Sequence, residues 1–272
     1  MRTTDNFVNY DYIYNNFKPD PISPVPTTKR RPSKPAARPR RTVAPASAPA
    51  PLPEREPRGA RRKRETRGKL LEAAFRLMAE RGVDGVAINE ITEAADVGFG
   101  SFYNHFESKE AVYAALMDAV FEEFGDALDR LVAAVEDPAE VISISVRHTL
   151  LRARREPLWG RFLVREGLSA RVLSRGLGVR LLRDIQRGVA KGRFRLADPL
   201  LSFVTFGGGV LAAIAMSIEI EGPRAAELAQ FGLVADDLSE RAVATLLANL
   251  GLPPSEASAI ALRPLPQVET VR

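Results

Sequence analysis

The sequence predicts an all-α protein. An N-terminal three-helix head with a helix-turn-helix leads into a C-terminal helical domain, and a long disordered tail precedes both. Three observations carry that expectation. Apolar residues recur at three- and four-residue spacing from Leu71 to Leu250, the period of one-faced helices. Stops and starts punctuate the pattern at Gly82, Asp137-Pro138, Glu156-Pro157 and Gly251, as capping and proline chemistry require. Between two amphipathic segments lies the aromatic-rich run Ala94 to Lys109. A short helix, a tight turn and a second short helix with a polar-aromatic outer face is the layout of a helix-turn-helix, whose second helix enters the major groove.

Composition narrows the function. The chain has 272 residues, long enough for more than one domain. It has no Cys, which excludes disulfide frameworks and thiolate metal sites. Its imidazoles are His105 and His148 alone, too few for the usual zinc enzyme. No continuous apolar leader opens the chain, so a cytoplasmic protein is expected. The net charge of +5 is unevenly spread: residues 70–272 hold 22 basic and 28 acidic residues of the 39 and 34 in the whole chain. The basicity lies in the N-terminal arm and the folded body is acidic, which points to a polyanion at one end.

In chain order, residues 1–60 form the tail, with Phe7, Tyr10, Tyr12, Tyr14 and Phe17 among Asn and Asp, then a Pro/Ala/Arg-rich linker. That composition has no means of building a core. Residues 61–110 form the DNA-binding head with its basic arm Arg61-Arg62-Lys63-Arg64. The arm either reaches into the minor groove, whose potential attracts Arg, or is a flexible leader that raises affinity without specificity. Helix 1 is expected from about Thr66 to Arg81, burying Leu71, Ala74, Phe75 and Met78, with Gly82 as a left-handed cap. Helix 2 begins at Ile88. Asp96 and Gly98 then bracket the turn, and Phe102 and Phe106, four apart, share one face of the next helix. Ser108 caps a long helix that buries Val112, Leu116, Val120, Phe124, Leu128 and Leu131.

Phe102-Tyr103-Asn104-His105-Phe106, followed by Ser108-Lys109-Glu110, resembles the signature of TetR-type transcriptional regulators. That pattern is an apolar residue, Tyr, any residue, His or Tyr, and Phe, with Lys opening the next helix. Ala73-Ala74-Phe75 and Glu80-Arg81-Gly82 stand at the family's spacing for helix 1, so the resemblance covers residues 67–113. The chain departs from it at Asp96, where the family usually has Gly, and at Gly98, where it has Ser or Thr. It departs also at Ala87 in place of a Ser or Thr cap, and at Phe99 in place of a basic or polar residue. The resemblance implies a sequence-specific regulator, a repressor released by a small-molecule inducer, with Tyr103, His105 and Lys109 on the phosphate backbone. His105 is alternatively a structural histidine. Ser101 and Asn104 face outward and suit base edges, while Phe99 either meets a thymine methyl or packs on its own domain.

Residues 111–254 form the ligand and dimerisation domain. Asp137-Pro138 opens one helix, and Leu158, Trp159, Phe162 and Leu163 follow as an apolar cluster. Residues 171–193 read as a helix with Leu177, Leu181, Leu182 and Ile185 inside and Arg175, Arg180, Arg183 and Arg187 on another side, as a solvated face or a second basic surface. Leu200 to Ile218 carries no charge. Its length suits a bilayer, but its Ser, Thr and Gly residues and acidic flanks favour a helix buried in a soluble protein, so no membrane is expected. This helix and the one at 238–250 are the expected homodimer surfaces, giving two heads for a palindromic DNA operator. Candidate ligand contacts are His148, Trp159, Phe162, Phe203 and Phe206. Residues 255–272 are expected to be a frayed tail. No catalytic constellation is present, so no enzyme and no cofactor are expected. The other reading is a non-specific nucleoid-associated or DNA-coating protein that works through its basic arm.

Overall fold

The structure, a computed structural model, describes residues 57–266 apart from 168, 170–175, 221, 223, 224, 233 and 235. The expected disordered tail therefore lies outside the described residues up to 56, as do residues 267–272 and part of the expected helix 171–193. Among the described residues all regular structure is helical. The chain divides at Thr66 into two units.

Of the first unit the described part is the opening of α1 (Arg58–Arg81). This corrects the expectation that helix 1 begins near Thr66: the basic segment is itself helical. Its residues favour that. Pro57 stands just before the helix, and its carbonyl accepts from Ala60 N–H at 3.0 Å. Arg61 pairs with Glu65 at 3.0 Å, four residues on.

The second unit begins with the rest of α1, which buries Leu70, Leu71, Ala74, Phe75 and Met78. Gly82 ends it with φ +80°, and its N–H reaches Met78 O. Then come α2 (Ile88–Ala94), α3 (Phe99–Phe102) and α4 (Lys109–Met117). A π-helical segment (Asp118–Glu122) joins α4 to α5 (Glu123–Leu131). The apolar stripe here steps by four residues, which advances about 40° per step on an ordinary helix. One wide turn reduces that drift and keeps Val112, Leu116, Val120, Phe124 and Leu128 buried.

α6 (Pro138–Arg155) is the central helix and touches α7 (Pro157–Gly167), α8 (Gly176–Ala190), α9 (Pro199–Ile220), α11 (Leu238–Asn249) and α12 (Pro254–Ala261). A short α10 (Ala225–Ala229) follows α9. Asp137 caps α6 as its sequence suggests, accepting from Ala139 N–H at 3.0 Å.

Two further expectations are corrected. Residues 255–261 are not frayed: Pro254 opens α12, and Ala257, Ile260 and Ala261 lie three and four apart on a buried face against α11 and α6. Beyond it, Arg147 donates to Arg263 O at 2.7 Å, and Leu265 joins the cluster of Val132, Val141 and Ile144. Nor is α9 sealed on all sides. Phe206, Val210, Ile214 and Ser217 are buried at helical spacing, while Leu200, Leu201 and Val204 are 69%, 60% and 54% exposed. Among the described residues α9 is the one helix long and apolar enough to cross a membrane.

Candidate nucleic-acid interface

The turn between α2 and α3 is a Schellman motif. Val97 N–H bonds Thr92 O at 2.9 Å and Asp96 N–H bonds Glu93 O at 3.1 Å. Asp96 holds the left-handed position, φ +52°, where Gly is usual and Asp is tolerated. At the start of α2 only half a capping box forms. Glu90 accepts from Ala87 N–H at 2.8 Å, but the Ala87 methyl accepts nothing in return. That hydrogen bond first, and then Arg81, holds the Glu90 carboxyl below its ordinary range.

α3 is one turn, and Phe106 N–H returns to Phe102 O at 3.0 Å, so both rings face the core. Phe102 is fully buried and Phe106 nearly so, their centroids 5.9 Å apart, and the Arg67 guanidinium covers Phe106 at 4.8 Å. The opposite side is open. Phe99, Tyr103 and Asn104 are exposed; Ser101, His105 and Lys109 are half-buried. The predicted contacts from 99 to 109 are thus all at least partly open to solvent, and Phe99 and Tyr103 lie against each other at 5.8 Å. The remaining ones, Arg61, Arg62, Lys63 and Arg64, occupy the first turns of α1 in the other unit, the first three exposed and Arg64 half-buried.

The head is fastened to the rest of its unit by α7. Phe162 packs edge-on to Phe75 at 5.3 Å, and Arg165 donates to Glu80 O at 3.0 Å, a cation at the end of α1. Tyr113 donates to the buried Glu166 carboxylate. The Trp159 indole donates to Val120 O at 3.2 Å, a carbonyl within the π-helical segment where regular bonding is broken.

Of the residues singled out as ligand contacts, Trp159, Phe162 and Phe206 are fully buried, with Phe121 stacked on Phe162 at 5.5 Å. Phe203 and His148 are half-buried. His148 Nε2 lies 2.9 Å from Pro266 O, and burial lowers the imidazole pKa. A cavity of about 240 Å³ opens between α6, α9 and the start of α11, lined by Leu150, Leu151, Arg154, Ser217, Leu238 and Glu240 among others.

Sequence reasoning missed an ionic clasp. Arg180 on α8 bonds Glu122 at 2.7 Å, Asp129 at 2.9 Å and also Asp126, while Arg183 bonds Asp129 at 2.7 Å and Asp184 at 2.9 Å. The clasp lies close over Gly125: a Cβ there would stand 2.6 Å from the Arg180 guanidinium carbon, so the guanidinium would have to shift. Of the four arginines expected on one side of the 171–193 helix, Arg180 is turned into the clasp, Arg183 joins it while 51% exposed, Arg187 is exposed, and Arg175 lies outside the described residues. Acids at 122, 126 and 129 on one face, with a glycine among them, were the available signal.

Residues 70–116 match the family model described as bacterial regulatory proteins, tetR family, and residues 137–263 match the tetracyclin repressor-like C-terminal domain. The crystal structure of RolR in complex with the ligand resorcinol superimposes with a TM-score of 0.54 at 38% identity, covering 77% of this chain and 100% of that one. The HTH-type transcriptional repressor DhaR of Mycobacterium sp. (strain GP1) is 43% identical over 75 residues, 28% of this chain and 36% of that one. The HTH-type transcriptional repressor KstR2 of Mycobacterium tuberculosis is 35% identical over 74 residues, 26% of this chain and 37% of that one. The chain thus matches little more than a third of the length of these two curated relatives.

Proposed function

Because this chain belongs to the TetR family of bacterial regulatory proteins, we propose that it is a cytoplasmic, sequence-specific transcriptional repressor that binds a palindromic operator as a homodimer. One observation carries the reading: Phe102 and Phe106 root a short helix in the core and leave Phe99, Tyr103 and Asn104 open to solvent beside Ser101, His105 and Lys109. Tyr103, His105 and Lys109 set the register on phosphates. Ser101, Asn104 and Phe99 meet base edges, and the cations Arg61 to Arg64 add phosphate contacts and salt dependence.

The dimer forms through α9 and α11. The uncovered side of α9, with Leu200, Leu201 and Val204 exposed, is closed by a second copy rather than by lipid. The inducer is a small phenol of the resorcinol class, the ligand of RolR. It enters the C-terminal domain, where His148, Trp159, Phe162, Phe203 and Phe206 are the candidate contacts, aromatic faces and an imidazole suited to a planar phenolic ring.

Selection of bound fragments from random DNA by the full chain tests the first part. An enriched palindrome is expected, with binding that falls at least tenfold in Tyr103→Ala. Equal binding of all sequences would sink the repressor reading in favour of non-specific coating. Titration with resorcinol tests the second, read by release of the operator and by the fluorescence of Trp159, the one Trp of the chain. Neither release nor a spectral change would discard that ligand class.

A further inference from the structure

Phe99 and Tyr103 are each 53% exposed, and among the described residues of the head they are the large apolar side chains left so open. They are not loose. Tyr103 packs edge-on against Phe102 at 5.4 Å, Phe102 lies 5.9 Å from Phe106, and Phe99 packs edge-on against Tyr103 at 5.8 Å and 77°. A ladder of four rings thus runs from the core to the surface and ends on Phe99.

The two neighbours of Phe99 carry a second, independent observation. Gly98 has φ −59° and Gly100 is not in the left-handed region, so neither conformation needs glycine. A Cβ on either would meet no atom within 4 Å, so no packing inside the chain needs glycine either. Glycine inside α3 weakens the helix relative to alanine. Approach of another surface to this backbone accounts for both residues, and the apolar feature that a major groove presents to a helix is the C5-methyl of thymine.

We propose that Gly98-Phe99-Gly100 is a methyl-reading wedge: the Phe99 ring, braced by Tyr103, seats on one thymine C5-methyl in each half-site, and the two glycines let the backbone come close enough. This rests on the DNA-reading function above and adds what one residue reads. It makes Phe99 a specificity-determining residue, not a general affinity contact.

The test uses the full chain and its selected operator, with each thymine in turn replaced by deoxyuridine, which lacks only the methyl. One symmetric pair of replacements is expected to weaken wild-type binding about fifteenfold, or about fourfold per site for one buried methyl. In Phe99→Ala that ratio should fall to about one while sequence preference at the other positions persists. Gly100→Ala should melt at a higher temperature than wild type yet bind the operator less tightly, separating folding from contact. Indifference of the wild type to every replacement, or discrimination that survives in Phe99→Ala, overturns the proposal and leaves the repressor reading standing. Failure to enrich any sequence removes that reading, and the proposal with it.

Discussion

Single side chains fix local geometry at two points of the chain. Trp159 gives its indole N–H to Val120 O at the point where the π-helical turn breaks regular bonding. Trp159→Phe keeps most of the ring and strands that buried carbonyl, at a cost of about 1–3 kcal/mol. Urea unfolding measures it, and an unchanged midpoint would mean that the carbonyl finds another donor. Asp96 shows the opposite case, a residue kept at a strained position by its short polar side chain. Its φ of +52° excludes β-branched residues at tolerable cost, so Asp96→Val should lose about 1–2 kcal/mol, while Asp96→Gly should be at least as stable as wild type. A Val variant of full stability would show that the turn relaxes.

Whole helices are held at their ends and along their charged faces. α2 starts on Ala87, whose N–H is bonded by Glu90 while its own side chain accepts nothing. Ala87→Ser supplies the missing acceptor and should stabilise the chain by about 1 kcal/mol, seen as a higher thermal midpoint. No gain would place the α2 terminus under some other constraint. Between α5 and α8 the clasp sets an acid limit. Burial alone would raise the Asp129 pKa, but its bonds from Arg183 and Arg180 outweigh that and hold the carboxyl below its ordinary range. A lowered folded-state pKa gives stability that is present above the unfolded carboxylate value and lost as pH falls through the folded one. Asp129→Asn should therefore lower stability at neutral pH and flatten its fall on acidification. An acid limb identical to wild type would assign the loss to other groups, Asp137 beside Arg193 first among them.

For the molecule as a whole, the open side of α9 is the feature to explain. Leu201 and Val204 are 60% and 54% exposed, three residues apart on one face. The double variant Leu201→Glu, Val204→Glu should sediment as a monomer and bind the palindrome no more tightly than a single half-site. Its helix content should be unchanged, because both residues are exposed while Phe206, Val210 and Ile214 form the buried stripe. A dimer that survives both charges would move the interface elsewhere, and recovery of the wild type in the membrane fraction would assign the face to lipid.

The sequence by itself determined the helical class, the head and its family. Each of those rests on neighbours in the chain: the four-residue spacing of Phe102 and Phe106, the Ser108 cap, the glycine at 82. Such signals survive in one dimension because a helix repeats within a few residues. Tertiary structure alone decided the rest. The clasp joins residues more than fifty positions apart, and no local pattern orders Arg180 onto Asp129. Ala257, Ile260 and Ala261 become core because α11 and α6 offer them a face. The uniform apolarity of α9 likewise could not say which side the chain covers, since burial depends on what packs there and not on the helix alone.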